Sequence, residues 1–178
     1  WYAKKPLRFK SYVDRTMVKM AFDSPETLTS LGFLESLGFT SHNAELDDAS
    51  LAKDDELFAL LPEIRQGVLQ YDDNDLDKSD RMSKEIALYL LDFGVEASEF
   101  RYHSYPVNQL FGIQNGFPSF MDAQHQVNSL EDANNYISRL SQVKRKFSHS
   151  LQGLKLREEK NIIPPRFVID RVLDEMTT

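Results

Sequence analysis

The chain has no cysteine among its 178 residues. That absence removes disulfides, thiolate zinc sites and cysteine nucleophiles together, and it leaves the redox compartment open. Basic residues are in deficit as well, with 21 Lys and Arg against 28 Asp and Glu, a net charge of −7. Nucleic-acid binding needs clustered Lys and Arg to meet phosphates, so no nucleic-acid partner is expected. No apolar run approaches the roughly 20 residues that a membrane-spanning helix needs. Strand signals are nearly absent: nothing alternates for long, and Asn115-Gly116 lacks the alternating flanks of a hairpin.

Reactive motifs are missing too. There is no HExxH, no GxSxG, no glycine-rich phosphate loop and no kinase signature. The four histidines, His42, His103, His125 and His149, are not spaced to share one helical face as metal ligands. The run "DDNDLDKSD" (72–80) has the look of a calcium loop. Counted from Asp73, however, its sixth position is Lys78 where glycine is needed, and its twelfth is Lys84 where glutamate is needed. Ser79 or Asp80 capping the next helix is the better account. No catalytic residue and no metal ligand is assigned, and no cofactor is expected in this chain.

What is present is helical periodicity. Phe9, Tyr12, Val13, Met17 and Met20 make one stripe. Ser24, Pro25 and Gly32 mark the cap, first turn and stop of a second helix. Leu57, Leu60, Leu61, Ile64, Val68 and Tyr71 form a stripe that Pro62 should kink or divide. Met82, Ile86, Tyr89, Leu90, Phe93, Ala97 and Phe100 predict a further amphipathic helix. Ser129 and Asp132 open a long helix with the stripe Leu130, Ala133, Ile137, Leu140, Phe147, Leu151 and Leu154, and Asn161 with the following "IIPP" closes it. The last helix starts at Pro165 or Arg166. The expectation is an all-α bundle or array of six to seven helices, the longest near 129–160.

Charge is unevenly spread along this array. Residues 45–99 hold 16 acids and 5 bases, and residues 139–160 hold 7 bases and 2 acids. Two solvated faces that attract each other explain this, and so does a surface that docks a protein partner.

One stretch breaks the periodicity: "NQLFGIQNGFPSFMDAQH" (108–125). Gly112 and Gly116 permit unusual backbone, and Pro118 can start a short helix that turns Phe120 and Met121 inward. Asn108, Gln109 and Gln114 each donate and accept hydrogen bonds. Such a loop suits a wall that holds peptide backbone, and it suits equally a crossover whose own backbone needs partners.

The order of motifs also carries a resemblance. "YHSYPVNQLFGIQNGFPSFMDAQHQVNSLEDANNYISRLSQV" followed by "LREEKNIIPPRFVID", with the earlier "SPETLTSLGF", resembles the N-terminal part of the bacterial domain-of-unknown-function 885 family. The likeness is specific over 105–170 and looser before that. At Asn161 the family often has glycine, and both residues tolerate the helix-ending conformation. The resemblance implies a longer, exported, cell-envelope parent related in fold to zinc metallopeptidases, with its metal helix in a C-terminal part. There zinc would activate a water and a glutamate would act as base. This chain would then be a single helical domain over residues 1–178, an N-terminal piece that forms one wall of the substrate cleft without catalysing. Its partners would be that C-terminal part and a peptide, which Tyr105, Asn108, Gln109, Gln114 and His125 would meet. Because "RFVIDRVLDEMTT" ends inside an apolar pattern, Phe167, Val168, Val172 and Leu173 are expected to be exposed and to support self-association.

Overall fold

The computed structural model of the chain describes residue 5 and residues 8–177. Its α-helices are α1 (Phe9–Phe22), α2 (Pro25–Leu31), α3 (Leu51–Leu69), α4 (Lys78–Ala97), α5 (Ile113–Ala123), α6 (Leu130–Glu159) and α7 (Arg166–Thr177), joined by short 3-10 turns. No strand occurs among the described residues. Among the described residues the fold is an all-α array of seven helices. It forms two compact units, one from residues 1–23 and 52–101, the other from 24–51 and 102–178.

The first unit centres on Phe9, Tyr12, Val68, Tyr71 and Leu76, with Val13, Leu88 and Leu91 packed against them. Phe9 meets Tyr71 edge to face at 5.3 Å between ring centroids, a favoured aromatic geometry. The Tyr12 hydroxyl donates to the Ile64 carbonyl at 3.0 Å, which satisfies a buried polar group. Tyr12 reaches that carbonyl across Gly67. A β-carbon there would stand 2.0 Å from the Tyr12 oxygen.

Four expectations need correction in this unit. On α1 the buried face is Phe9, Tyr12 and Thr16, while Met17 and Met20 are exposed. Pro62 lies inside one unbroken helix rather than dividing it, and Leu57 is exposed. On α4 the forecast stripe faces solvent: Met82, Ile86, Tyr89, Leu90 and Phe93 are exposed, as is Phe100 beyond the helix. The residues of α4 that pack on the core are Leu88 and Leu91. The physical reason is that α4 carries apolar side chains on two sides, and periodicity alone does not say which side finds a neighbour. The acidic run serves as caps. Asp77, not Ser79 or Asp80, is the N-cap of α4 and accepts from the Asp80 N–H at 2.8 Å.

The second unit holds α2, α5, α6 and α7. Ser24 caps α2 with Pro25 at its first position, and Gly32 ends it in the left-handed conformation at φ 64°. Ser129 caps α6 through the Asp132 N–H at 3.1 Å. The Asp132 carboxylate reaches back to the Asn128 N–H at 3.0 Å, so it closes a capping box displaced by one residue. The helix then runs 30 residues without a break, about 45 Å at 1.5 Å per residue. Asn161 follows at φ 57°, the left-handed ending that its short polar side chain tolerates.

The long helix buries deepest a side other than the one expected, while Ala133, Phe147 and Leu154 of the forecast stripe are half-buried. Its buried positions are Arg139, Lys146, Gly153 and Arg157, spaced by seven, seven and four. Leu130, Ile137, Leu140 and Leu151 of the forecast stripe are exposed, Leu130 by 80%. The polar side is drawn inward because it packs on the Ser41–Ala44 turn, whose closing carbonyls accept hydrogen bonds from it. Ser138 and Gln142 both donate to the Ala44 carbonyl, and Arg139 donates to Glu45. On α7, Val168 and Val172 are buried, while Phe167 and Leu173 are exposed. The expected exposure therefore holds for two of those four residues only.

Candidate functional site

The second unit carries a polar cavity of about 410 Å³. Its walls come from the end of α2 and the turns behind it (Thr29, Gly32, Glu35, Asn43), from the segment that joins α5 to α6 (His125), and from the first turn of α6 (Asp132). Thr29, Asn43 and His125 are each more than nine-tenths buried. Polar side chains so deep need partners, and the fold provides them.

Arg139 organises the site and has no exposed surface. Its Nε donates to the Glu45 carbonyl at 2.9 Å, Nη1 to His125 Nδ1 at 2.7 Å, and Nη2 to the Thr29 hydroxyl at 2.7 Å and the His42 carbonyl at 3.1 Å. The Phe120 ring covers the guanidinium with its centroid 4.9 Å away. Burial pushes the Arg139 pKa down, and the charges of Glu26, Asp47, Glu35 and Glu45 oppose that shift. Thr29 passes the chain on, donating to Asn43 Oδ1 at 2.7 Å. Asn43 Nδ2 then donates to Glu35 Oε1 at 3.2 Å, and His42 Nε2 lies 2.9 Å from the same oxygen. Glu35 Oε2 is buried and has no hydrogen-bond partner. Burial pushes the Glu35 carboxyl up, but bonds from its own N–H, His42 and Asn43 hold it below the usual carboxylate range. The Ser129 side chain and the Asn128 N–H likewise hold Asp132 low.

Of the five residues expected to meet a peptide, His125 alone lies in this cavity. It also lines a second hollow of about 500 Å³ with Phe117, Met121 and Tyr136. Tyr105 lines a separate hollow with Leu154 and Arg157. Asn108 and Gln114 bond to their own loop. Asn108 Oδ1 accepts from the Leu110 and Phe111 N–H groups, its Nδ2 donates to the Tyr105 carbonyl, and Gln114 Nε2 donates to the Asn108 carbonyl. Gln109 sits half-buried in the same loop. The helix beyond begins at Ile113 with Gly112 as its cap, so Pro118 lies inside α5 rather than at its start. Met121 is buried as expected and Phe120 is half-buried.

Sequence reasoning missed Thr29, Glu35, Asn43 and Arg139. The available signal was indirect: an arginine within a long helix whose apolar stripe lies elsewhere. Among the described residues, no three His, Asp or Glu side chains converge as a metal site.

Neither the curated proteins nor the solved structures contain a match to this chain. Residues 25–178 match the family described as "Bacterial protein of unknown function (DUF885)". That match takes in α2 through α7 and every wall of the cavity. The chain belongs to the DUF885 family.

Proposed function

We propose that this chain is a non-catalytic, substrate-binding wall in a larger peptidase-like protein. The observation that carries the reading is the cavity, whose walls are buried polar side chains fixed by mutual hydrogen bonds. A wall held in this way suits binding, because little conformational freedom is lost when a ligand arrives. It does not suit acid–base catalysis, because both ring nitrogens of His125 are engaged, by Arg139 and by the Asp132 carbonyl.

The described residues do not fit zinc. His42 is held by Glu35, His125 by Arg139, and His149 lies 3.3 Å from Asp48, each in a different pairing. In this reading metal chemistry belongs to a C-terminal part of the parent protein, as the family resemblance implies, and export to the cell envelope belongs to the parent as well. Exposed apolar residues on α6 and α7 support a partner of that kind, since such surface is ordinarily covered. The alternative, a module that docks through charged faces, has less support. Arg139, Lys146 and Arg157 are buried, so much of the basic excess is spent inside the unit.

The test is the complete reading frame, expressed whole. Expected are an HExxH helix in the downstream part, stoichiometric zinc, and peptide cleavage that residues 1–178 alone do not support. Asn43→Asp should raise KM with little change in kcat. A downstream sequence without that helix, or cleavage indifferent to the cavity substitution, overturns the reading.

A further inference from the structure

We infer that His125 is an acid-released latch on the cavity of the second unit. When its ring takes a second proton, the segment joining α5 to α6 comes away from Arg139. The latch requires neither a peptide nor a downstream part, so it stands apart from the proposed function. His125 is 4% exposed, Arg139 has no exposed surface, and Nη1 lies 2.7 Å from Nδ1. A guanidinium can only donate, so Nδ1 must accept. Nε2 then carries the single ring proton toward the Asp132 carbonyl, 3.1 Å away. The folded contact admits only the neutral ring. A proton on Nδ1 sets donor against donor and cation against cation in a site closed to solvent.

Arg139 is the side that stays. It is also held by the Thr29 hydroxyl and the carbonyls of His42 and Glu45, and a 30-residue helix carries it. His125 lies on a stretch without helix or strand, where local opening costs least. The other titratable groups around the ring do not rescue the contact. On α6, the Asp132 carboxylate is committed to the Asn128 N–H, and Tyr136 meets the ring edge to face at 5.2 Å. From the turns behind α2, Glu35 is bonded to His42 and Asn43. On α5, Asp122 is exposed and shares the hollow of about 500 Å³ with His125, so it attracts the ring once released. Among the described residues no carboxylate hydrogen-bonds the ring, so none offsets Arg139 at contact. His42 has the opposite sign, because a proton there strengthens its bond to Glu35. His103 and His149 line neither hollow.

The experiment follows the ¹⁵N-labelled chain by NMR from about pH 7.5 to about pH 5, across the interval in which histidines charge. Glu35 and Asp132, held below the usual carboxylate range, stay ionised throughout. Ring-nitrogen shifts report the tautomer of His125, and near the upper limit the proton is expected on Nε2 alone. On acidification an imidazolium signal should appear. With it, exchange protection of the Gln124, His125 and Asn128 amides should fall tenfold or more, measured against intrinsic rates at each pH. The Gly153 amide, far along α6, should keep its protection. His125→Gln is the variant, because the new amide can accept from Arg139 and donate to the Asp132 carbonyl without titrating. In it the same three amides should stay protected over the whole range. A proton on Nδ1 near the upper limit, or a ring still neutral at the lower one, overturns the latch. So does a charged ring with protection intact, or the same acid opening in His125→Gln. Should that variant not fold, the tautomer and exchange of the unaltered chain decide alone. Peptide cleavage plays no part in this readout, so the latch and the proposed function fail separately.

Discussion

Arg139 places Nη1 2.7 Å from Nδ1 of His125, and the contact joins the N-terminal third of α6 to the segment that follows α5. The same side chain reaches Thr29 on α2 and the carbonyls of His42 and Glu45. One guanidinium thus ties together all the strands of chain that build the cavity.

Replacing Arg139 with methionine should therefore be costly. The apolar stem is retained, but His125 Nδ1 and the Glu45 carbonyl lose their donor in a dry interior, whereas the His42 carbonyl keeps the Glu45 N–H and Thr29 keeps Asn43. A loss of roughly 3 kcal/mol is expected, since each unsatisfied buried acceptor costs about 1–3 kcal/mol. Urea unfolding followed by hydrogen exchange in α6 measures it. A loss under about 1 kcal/mol would mean that Arg139 does not hold the unit together.

Acid should loosen the same unit. Glu35 and Asp132 both have folded pKa values below their ordinary ones. A depressed carboxyl binds its proton more weakly when folded, so its stabilisation is complete above the unfolded pKa, near 4. That contribution is lost as pH falls through the lower folded values. Urea midpoints measured from pH 7 down to pH 3 should fall most steeply below about pH 4, and Glu35→Gln should flatten the fall. A midpoint independent of pH across that window contradicts the assignment.

Gly67→Ala tests the first unit. Alanine favours helix over glycine by about 1 kcal/mol, so propensity predicts a gain. Packing predicts the reverse. The new β-carbon would stand 2.0 Å from the Tyr12 oxygen and 2.5 Å from Cζ, and Tyr12 is 1% exposed, with nowhere to retreat. A net loss of about 1–3 kcal/mol is expected from overpacking. Thermal unfolding of the variant decides the sign, and a stabilised protein would show that the Tyr12 contact is soft.

On α7 the two apolar faces should respond differently. Phe167 and Leu173 are exposed, so their joint replacement by glutamate should leave the helix folded and reduce any self-association seen by light scattering. Val172→Glu buries a charge at a position only 4% exposed and should unfold the unit's end instead. Equal effects from both changes would contradict the observed split of the helix.

Helix ends were written locally. Ser24, Gly32, Ser129 and Asn161 stand where caps and stops were read, because capping is decided by a residue and its neighbours within one turn. The all-α class and the length of α6 follow from the same short-range rules. Which face of each helix is buried was not local. Apolar periodicity on α4 and α6 named stripes that lie exposed, because burial depends on what another segment brings. On α6 that segment is 41–47, whose carbonyls need donors, and Arg139 supplies them from about 94 residues away in sequence. The cavity is of the same kind: Thr29, Glu35, Asn43, His125 and Asp132 form no motif along the chain. Only the tertiary fold, by setting a buried cation against unpaired carbonyls, brings them to one place.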